Sequence, residues 1–286
     1  MVPSSPVVAL WLLVRLLRMR RLELGIDVKT ITQELSFSRN YWSAIEHERT
    51  IISADNLAKL AKLLKFGRDE TTELMKLRET AKGHGWWSDY SEIIDADVQR
   101  LFGLEQGARA VRSYESLLVP GLLQSPDYAR AVIDPAVTIA SVEVEERVEL
   151  RLRRQARLGG DHPLHLRVLI SEAVLRQQIG GLSVLQGQLD HLLRMIDENP
   201  KTLDLRVIPF SAQMHNLLGA GTLYILDFEN PRLPTIAWQE TVSTWGVIDE
   251  VNQVRDIVAA FDQATDRAIS RAASRDLIQR HRKEFG

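Results

Sequence analysis

The first 82 residues are divided into five short segments with helical periodicity, and this division constrains the fold more than any other feature of the sequence. In the fourth segment the apolar residues recur at positions i, i+3, i+4 and i+7, which places them on one helix face (Leu57, Leu60, Ala61 and Leu64). Gly25 ends the first segment, and Gly67 is predicted to end the fourth. Segments this short are stable only when packed together, so we expect a small all-helical domain over residues 7–82.

The second and third segments are separated by a very short break. Asp27 is a plausible N-cap for the second helix, and Ser38 for a third helix over residues 39–46. Only Ser36 and Phe37 lie between the second helix and this cap. Two helices joined by such a break inside an all-helical unit indicate a helix-turn-helix.

Residues 25–46 resemble the phage-repressor-like (XRE) family, in which a glycine, a capped helix and a tight turn precede a helix ending in Ile-Glu. The resemblance implies a DNA-binding domain whose third helix is the recognition helix. Ser36 and Glu48 stand where the family commonly has glycine. A left-handed backbone at Ser36 would cost about 1 kcal/mol, because a side chain disfavours that conformation.

A recognition helix presents its N-terminal residues to base edges in the major groove. The outward residues near that end are Arg39, Asn40 and Ser43, and the resemblance places the same three on base-reading positions. Arginine can bond two acceptors of guanine, and asparagine can pair with adenine. The alternative is that these are ordinary solvated side chains on helices that only dock a partner.

Further residues are expected to flank the base-reading positions. Phosphate contacts fix the register of a protein on DNA without reading its sequence. The candidates for phosphate or flanking contacts are Lys29, Ser38, Tyr41 and Arg49.

The charge distribution along the chain indicates that only the first domain binds nucleic acid. Residues 1–82 carry 14 basic and 10 acidic side chains, a balance of +4, whereas the remainder has a balance of −6. The basic first domain is therefore the part expected to meet double-stranded DNA. The chain has no cysteine, which excludes disulfides, thiolate metal sites and a thiol nucleophile, and fits a cytoplasmic location.

The longest apolar run, residues 7–17, has 11 residues and includes Arg15. A membrane-spanning helix needs about 20 apolar residues, and a secretory signal would carry its charges before the run. We expect a buried first helix and no membrane partner.

Residues 83–282 are predicted to form an α/β or α+β domain, so that the whole fold is mostly α with a smaller sheet of four or five strands. Alternating apolar residues predict a strand around residues 164–170, followed by helices at 171–179 and 183–198. Residues 142–158 predict a long helix whose acidic side chains precede its arginines. That order suits the helix dipole, and we interpret the arginine-rich part as a solvated helix end.

The second domain resembles the uncharacterised domain that follows the helix-turn-helix in a large group of actinobacterial regulators. The matching segments are residues 85–90, 114–124, 127–132, 151–155, 171–181, 207–210 and 238–240. The group is described as antitoxin-like, and its genes often lie beside one for a very small protein. The resemblance supplies no binding residues for this domain.

No motif of an enzyme is recognisable in the sequence. There is no Gly-x-Ser-x-Gly elbow, phosphate loop or dinucleotide fingerprint, so we expect no catalytic residues, no metal and no cofactor. Asp161, His162 and His165 have metal-like spacing but lie at the start of a strand, and are interpreted as surface residues. Glu115, Glu172 and Glu240 could cluster in space, which the sequence alone does not decide.

These features predict a sequence-specific transcriptional regulator that binds DNA as a homodimer. Its second domain would dimerise, sense a small molecule or bind a small neighbour-encoded protein. The alternative is an antitoxin-like interaction module that sequesters a small partner, with DNA binding secondary.

Overall fold

The computed structural model describes residues 4–135, 140–241 and 244–285. The chain forms two compact units, of which the first ends at Asp89 and the second begins at Tyr90. The described residues contain eleven α-helices and one six-stranded sheet, which confirms a mostly helical fold with a smaller sheet.

Five helices make up the first unit, as the periodicity predicts. They are α1 (Pro6–Glu23), α2 (Val28–Glu34), α3 (Arg39–Glu46), α4 (Ala54–Leu63) and α5 (Arg68–Ala81). A side-chain oxygen accepts a backbone N–H at the start of each of the first four, from the N-caps Ser5, Asp27, Ser38 and Ser53. Each cap satisfies a donor that the helix itself leaves unbonded, which fixes where the helix begins.

The first helix is buried rather than membrane-spanning. Leu13 and Leu17 lie in the core of the first unit, together with Trp42 and Leu57 from later helices. None of the described helices combines the length and the apolarity needed to cross a bilayer.

Gly67 does not end the fourth helix, so that prediction was wrong. Helix α4 ends earlier, at Leu63, and the chain reverses through Lys65, which has a left-handed φ of 54°. Gly67 is instead the N-cap of α5, where its backbone N–H donates to the Glu70 side chain at 2.8 Å. A lysine thus takes the strained position that glycine is expected to fill.

The second unit combines six helices with six strands. The helices are α6 (Ala96–Gly107), α7 (Pro126–Ile133), α8 (Val144–Gln155), α9 (Leu182–Glu198), α10 (Val251–Arg267) and α11 (Arg271–Glu284). The strands are β1 (Ala110–Glu115), β2 (His165–Ser171), β3 (Leu203–Ile208), β4 (Thr222–Asp227), β5 (Ile236–Glu240) and β6 (Trp245–Ile248).

Three details of this unit differ from the sequence prediction. The segment 171–179 is not a helix of that length, because only a short 3₁₀ turn, Glu172–Leu175, forms after β2. The apolar spacing from residue 249 to about 282 predicts one continuous helical stretch, but the structure has two helices there, α10 and α11. The sheet has a sixth strand, β6, which is only four residues long and partly exposed, so its apolar pattern is weak.

The sheet is mixed, with strand order β3-β2-β1-β4-β5-β6. Strands β1, β2 and β3 are parallel, whereas β4, β5 and β6 are joined by antiparallel pairing. One face of the sheet packs against α10, where Tyr114, Leu223 and Ile225 meet Phe261 and Ala264. We call this the α10 face.

Candidate DNA interface and C-terminal cavity

Helix α3 is held in place by its buried side, so that its opposite side is free to meet a partner. Trp42 and Ile45 are each 2% exposed and pack in the core of the first unit. The Ser38 hydroxyl oxygen accepts the Tyr41 N–H at 3.1 Å and fixes the start of the helix. Arg39 and Asn40, in the first turn, are exposed. The structure therefore places the two predicted base-reading side chains on the surface.

Ser43, the third predicted base-reading residue, lies in a small polar group at the end of α3. Its Oγ is 3.4 Å from His47 Nδ1 and accepts a long hydrogen bond from Arg49 Nη2 at 3.5 Å. The His47 and Arg49 side chains are exposed. The sequence analysis did not include His47 among the candidate interface residues. Its i+4 spacing from Ser43 places both residues on the same helix face and could have identified it.

Tyr41 links α3 to α4. Its ring packs edge-on against Phe37, with centroids 5.1 Å apart, and its hydroxyl accepts from Asn56 Nδ2 at 3.3 Å. Lys29, by contrast, is an exposed side chain on α2. The predicted flanking residues therefore differ: Tyr41 is anchored by packing, whereas Lys29 can extend to a ligand.

The turns on either side of α3 are strained at non-glycine residues. Ser36 has a φ of 55° and Glu48 a φ of 58°, so both adopt the left-handed conformation. The cost expected at Ser36 is thus present in the structure. The fold therefore keeps the helix-turn-helix geometry although neither turn has the glycine that would relieve the backbone strain.

The second unit contains a cavity of about 700 Å³ on the sheet face opposite α10. Strand register explains its floor: Tyr224 pairs with Trp238, and Thr222 pairs with Glu240 and lies beside Glu115. Because alternate residues of a strand point to one face, these side chains share that face. Helix α8 supplies the facing residues at i, i+3, i+4 and i+7 (Arg147, Leu150, Arg151 and Arg154).

The arginine-rich stretch at the end of α8 is not a solvated helix end, and that interpretation was wrong for all but the exposed Arg153. Arg154 is 8% exposed and makes a bidentate ion pair with Glu105, at 2.7 and 2.6 Å. Arg157 is equally buried and donates to the carbonyls of Gln106, Ala108 and His162. The helix lies against the cavity and α6, so arginines that suit the helix dipole are also enclosed by tertiary packing.

Arg154 and Arg151 lie in different electrostatic environments. Burial alone would lower the pKa of Arg154, but the Glu105 carboxylate raises it above its ordinary value. Burial lowers the pKa of Arg151, whose Nη1 donates to the neutral amide oxygen of Gln124 at 2.7 Å. Arg151 has no ion pair with any carboxylate of the described residues. Its charge is therefore enclosed without a fixed counter-ion.

Two of the three glutamates singled out in the sequence do lie together. Glu115 and Glu240 line the cavity, whereas Glu172 accepts the Phe210 N–H at 2.9 Å and contacts His281 elsewhere. Burial raises the pKa of Glu115 to about 8, despite a hydrogen bond from Thr222 that lowers it. At neutral pH the Glu115 carboxyl therefore holds its proton.

The Asp161, His162 and His165 group lines a shallow second cavity of about 240 Å³ with Arg109 and Arg157. Within the described ranges, no cluster of three or more histidine, aspartate or glutamate side chains has the geometry to hold a metal ion. The spacing in sequence is not matched in space, because alternate residues of a strand diverge.

Helix α3 is capped, follows a tight turn and exposes its first residues. These features define the first unit as a helix-turn-helix domain, the class of fold used by DNA-binding regulators. Comparison with known families agrees, since residues 15–78 match a helix-turn-helix domain. Residues 98–280 match a family described as a domain of unknown function, DUF5753, and the chain belongs to that family. No curated protein and no solved structure matches the chain.

Proposed function

We propose that this protein is a sequence-specific transcriptional regulator acting in the cytoplasm. Helix α3 enters the major groove, where Arg39, Asn40 and Ser43 read base edges, while Lys29 and Arg49 contact phosphates. Ser38 and Tyr41 position the helix. The observation that carries the proposal is the exposure of Arg39 and Asn40 at the capped start of a helix whose other side is locked in the core.

The proposal includes a homodimer. A single helix-turn-helix buries less surface than specific affinity requires, and a two-fold pair reads two half-sites about one helical turn apart. The second domain carries the dimer contacts, an effector site or both. The effector changes DNA affinity by binding the DNA-competent and incompetent states unequally.

The decisive experiment combines genome-wide recovery of bound DNA with binding assays on the recovered sites. Replacing Arg39 and Asn40 with alanine is expected to lower specific affinity at least tenfold, because each bidentate base contact contributes about 1–3 kcal/mol. Arg68→Ala is the matched control, since Arg68 is also exposed and also the first residue of its helix. Unchanged operator affinity in the double variant would contradict the site assignment.

The second candidate is the antitoxin-like module that sequesters a small protein, with DNA binding secondary. It is favoured by three exposed apolar side chains between β3 and β4, with exposures of 64% at Phe210, 78% at Met214 and 62% at Leu218. Apolar groups left in water commonly mark a protein-binding surface. Co-purification of a small neighbour-encoded protein, lost in Phe210→Ser and Met214→Ser variants, would support it.

We also propose that the second domain is not an enzyme. The proposal is supported by the sequence, in which no nucleophile elbow, phosphate loop or dinucleotide fingerprint is recognisable. Recovery of a chemically altered compound after incubation with the protein would contradict this.

A further inference from the structure

The cavity of the second unit has the size of a small-molecule site. Its volume of about 700 Å³ lies within the usual range for ligand pockets, roughly 300–1,000 Å³. The sheet forms its floor, α8 faces that floor, and Leu101 and Phe102 of α6 add an apolar wall. A ligand on this floor would contact the sheet, α8 and α6 together.

Fixed partners neutralise two of the three arginines that line the cavity. Arg154 is paired with Glu105, and Arg147 donates to Glu143 at 2.8 Å. Arg151 alone is left with a neutral partner, the Gln124 amide oxygen. One guanidinium with further donors therefore remains for an anion, and its fork matches the geometry of a carboxylate.

Four acids line the cavity, and none of them forms an ion pair with Arg151. Glu115 is 5% exposed and is protonated at neutral pH. Glu92, Asp95 and Glu240 are exposed, so water and salt screen their carboxylates. Glu240 still raises the pKa of Arg151, against the larger effect of burial. Arg151 is thus the partly buried cationic side chain of the cavity that no carboxylate of the described residues pairs with, and one guanidinium matches a single carboxylate better than a phosphate dianion.

The indole ring of Trp238 lines the cavity, and its N–H group has no hydrogen-bond partner among the described residues. Trp238 is 1% exposed, and its indole Nε1 makes no hydrogen bond within the described part of the chain. A buried N–H left unbonded costs free energy, but this nitrogen is itself closed to the cavity, so a ligand oxygen reaches it only after neighbouring side chains shift. The Trp238 ring and Phe102 meanwhile offer apolar surface to the rest of a ligand.

We infer that this cavity binds a small organic carboxylate with an apolar or aromatic body, with Arg151 holding the carboxylate and the Trp238 ring packing against that body. The inference rests on the proposed function in one respect, because it identifies the cavity as the effector site of the regulator. The occupancy of the cavity and its effect on DNA are separate measurements, so either can fail alone.

The test uses the purified full-length chain and matched probes that share one apolar body. Phenylacetate, phenylbutyrate and octanoate are compared with their amides and amines by calorimetry and by thermal unfolding. The carboxylates are expected to bind and to raise the unfolding temperature, whereas the amides and amines are not. Failure of every carboxylate at millimolar concentration, or equal binding of the amines, would overturn the inference.

Arg151→Gln is expected to weaken carboxylate binding about tenfold or more, because a charge-assisted hydrogen bond is lost. Arg153→Gln is the control on the same helix, since Arg153 is exposed and does not line the cavity. Trp238→Phe provides a second variant that removes only the N–H donor and part of the ring. Carboxylate binding that persists unchanged in folded Arg151→Gln and Trp238→Phe proteins would place the ligand elsewhere.

Operator affinity is measured separately, with and without the carboxylate that binds. Binding of the probe at Arg151 with no change in operator affinity would support the site but contradict its role as the effector site. Loss of operator binding in the Arg39 and Asn40 variant tests the DNA proposal without reference to the cavity.

Discussion

At the scale of single residues, environment decides what an identical side chain can do. Arg151 and Arg154 are three positions apart on α8, yet one faces a neutral amide and the other a buried carboxylate. A buried ion pair with ideal bidentate geometry offsets much of its own desolvation cost. Arg154 therefore holds α8 against α6, while Arg151 keeps donors for a ligand.

Glu115 shows how burial of one carboxyl makes stability depend on pH. Its pKa is about 8 in the folded protein, against an ordinary value of 4.5. The groups that face it are Thr222 and Tyr224 on β4, Glu240 on β5, Arg151 and Arg154 on α8, and Tyr128 on α7. Between these two pH values the folded protein keeps a proton that the unfolded chain has lost, so stability falls as pH rises.

Glu115→Gln is expected to remove this dependence, because the amide stays neutral and can still accept from Thr222. The free energy of unfolding of the variant, relative to the native chain, should rise by up to about 1.4 kcal/mol per pH unit over this interval. Urea unfolding at several pH values measures it. Glu146→Gln, at an exposed site on α8, is the control and should show no such trend.

Lys29 is expected to act through charge alone. Lys29→Ala should weaken binding to all DNA sequences by a similar factor and reduce the salt slope of the binding constant by about 1. Titrations at several salt concentrations, on specific and non-specific DNA, measure both effects. Lys76→Ala, on the exposed surface of α5, is the control, and a change confined to one sequence would contradict a phosphate contact.

At the scale of elements, the turns of the first unit contain backbone strain that lowers stability but lets the helices keep their arrangement. Ser36, Glu48 and Lys65 all adopt left-handed conformations that glycine would adopt at lower cost. The helices on either side are fixed by caps and by the shared core, so the turns have to accept the strain.

Ser36→Gly and Lys65→Gly are therefore expected to stabilise the first unit, by about 1 kcal/mol each. Both side chains are exposed, so little packing is lost. Denaturant unfolding followed by tryptophan fluorescence measures the gain. Ser36→Ala and Lys65→Ala keep the strain and should not stabilise, and a gain equal to that of glycine would show that strain is not the cause.

At the scale of the whole molecule, the proposed function requires communication between a DNA site and an effector site. Thermodynamic linkage makes such coupling reciprocal: an effector that changes operator affinity by some factor must have its own affinity changed by the same factor. The two sites lie in separate compact units, so the coupling has to pass through states that both ligands bias.

Adding operator DNA is therefore expected to change the affinity for the bound carboxylate by the factor with which that carboxylate changes operator affinity. Calorimetry with and without operator measures it. The Arg39 and Asn40 double variant is the control, because it should bind the carboxylate without responding to DNA. An affinity for the carboxylate that does not change when operator DNA is added would contradict coupling between the two sites.

The sequence by itself determined the features that depend on local chemistry. Caps such as Ser38, apolar spacing along α4 and the tight break before α3 act within a few residues, and the helix-turn-helix and its exposed Arg39 and Asn40 followed from them. The tertiary structure alone decided the rest. Glu115, Trp238 and Arg151 meet only because the order β1-β4-β5 and the placement of α8 bring distant segments together. Burial and pairing then set their charges, and neither is encoded in a local pattern.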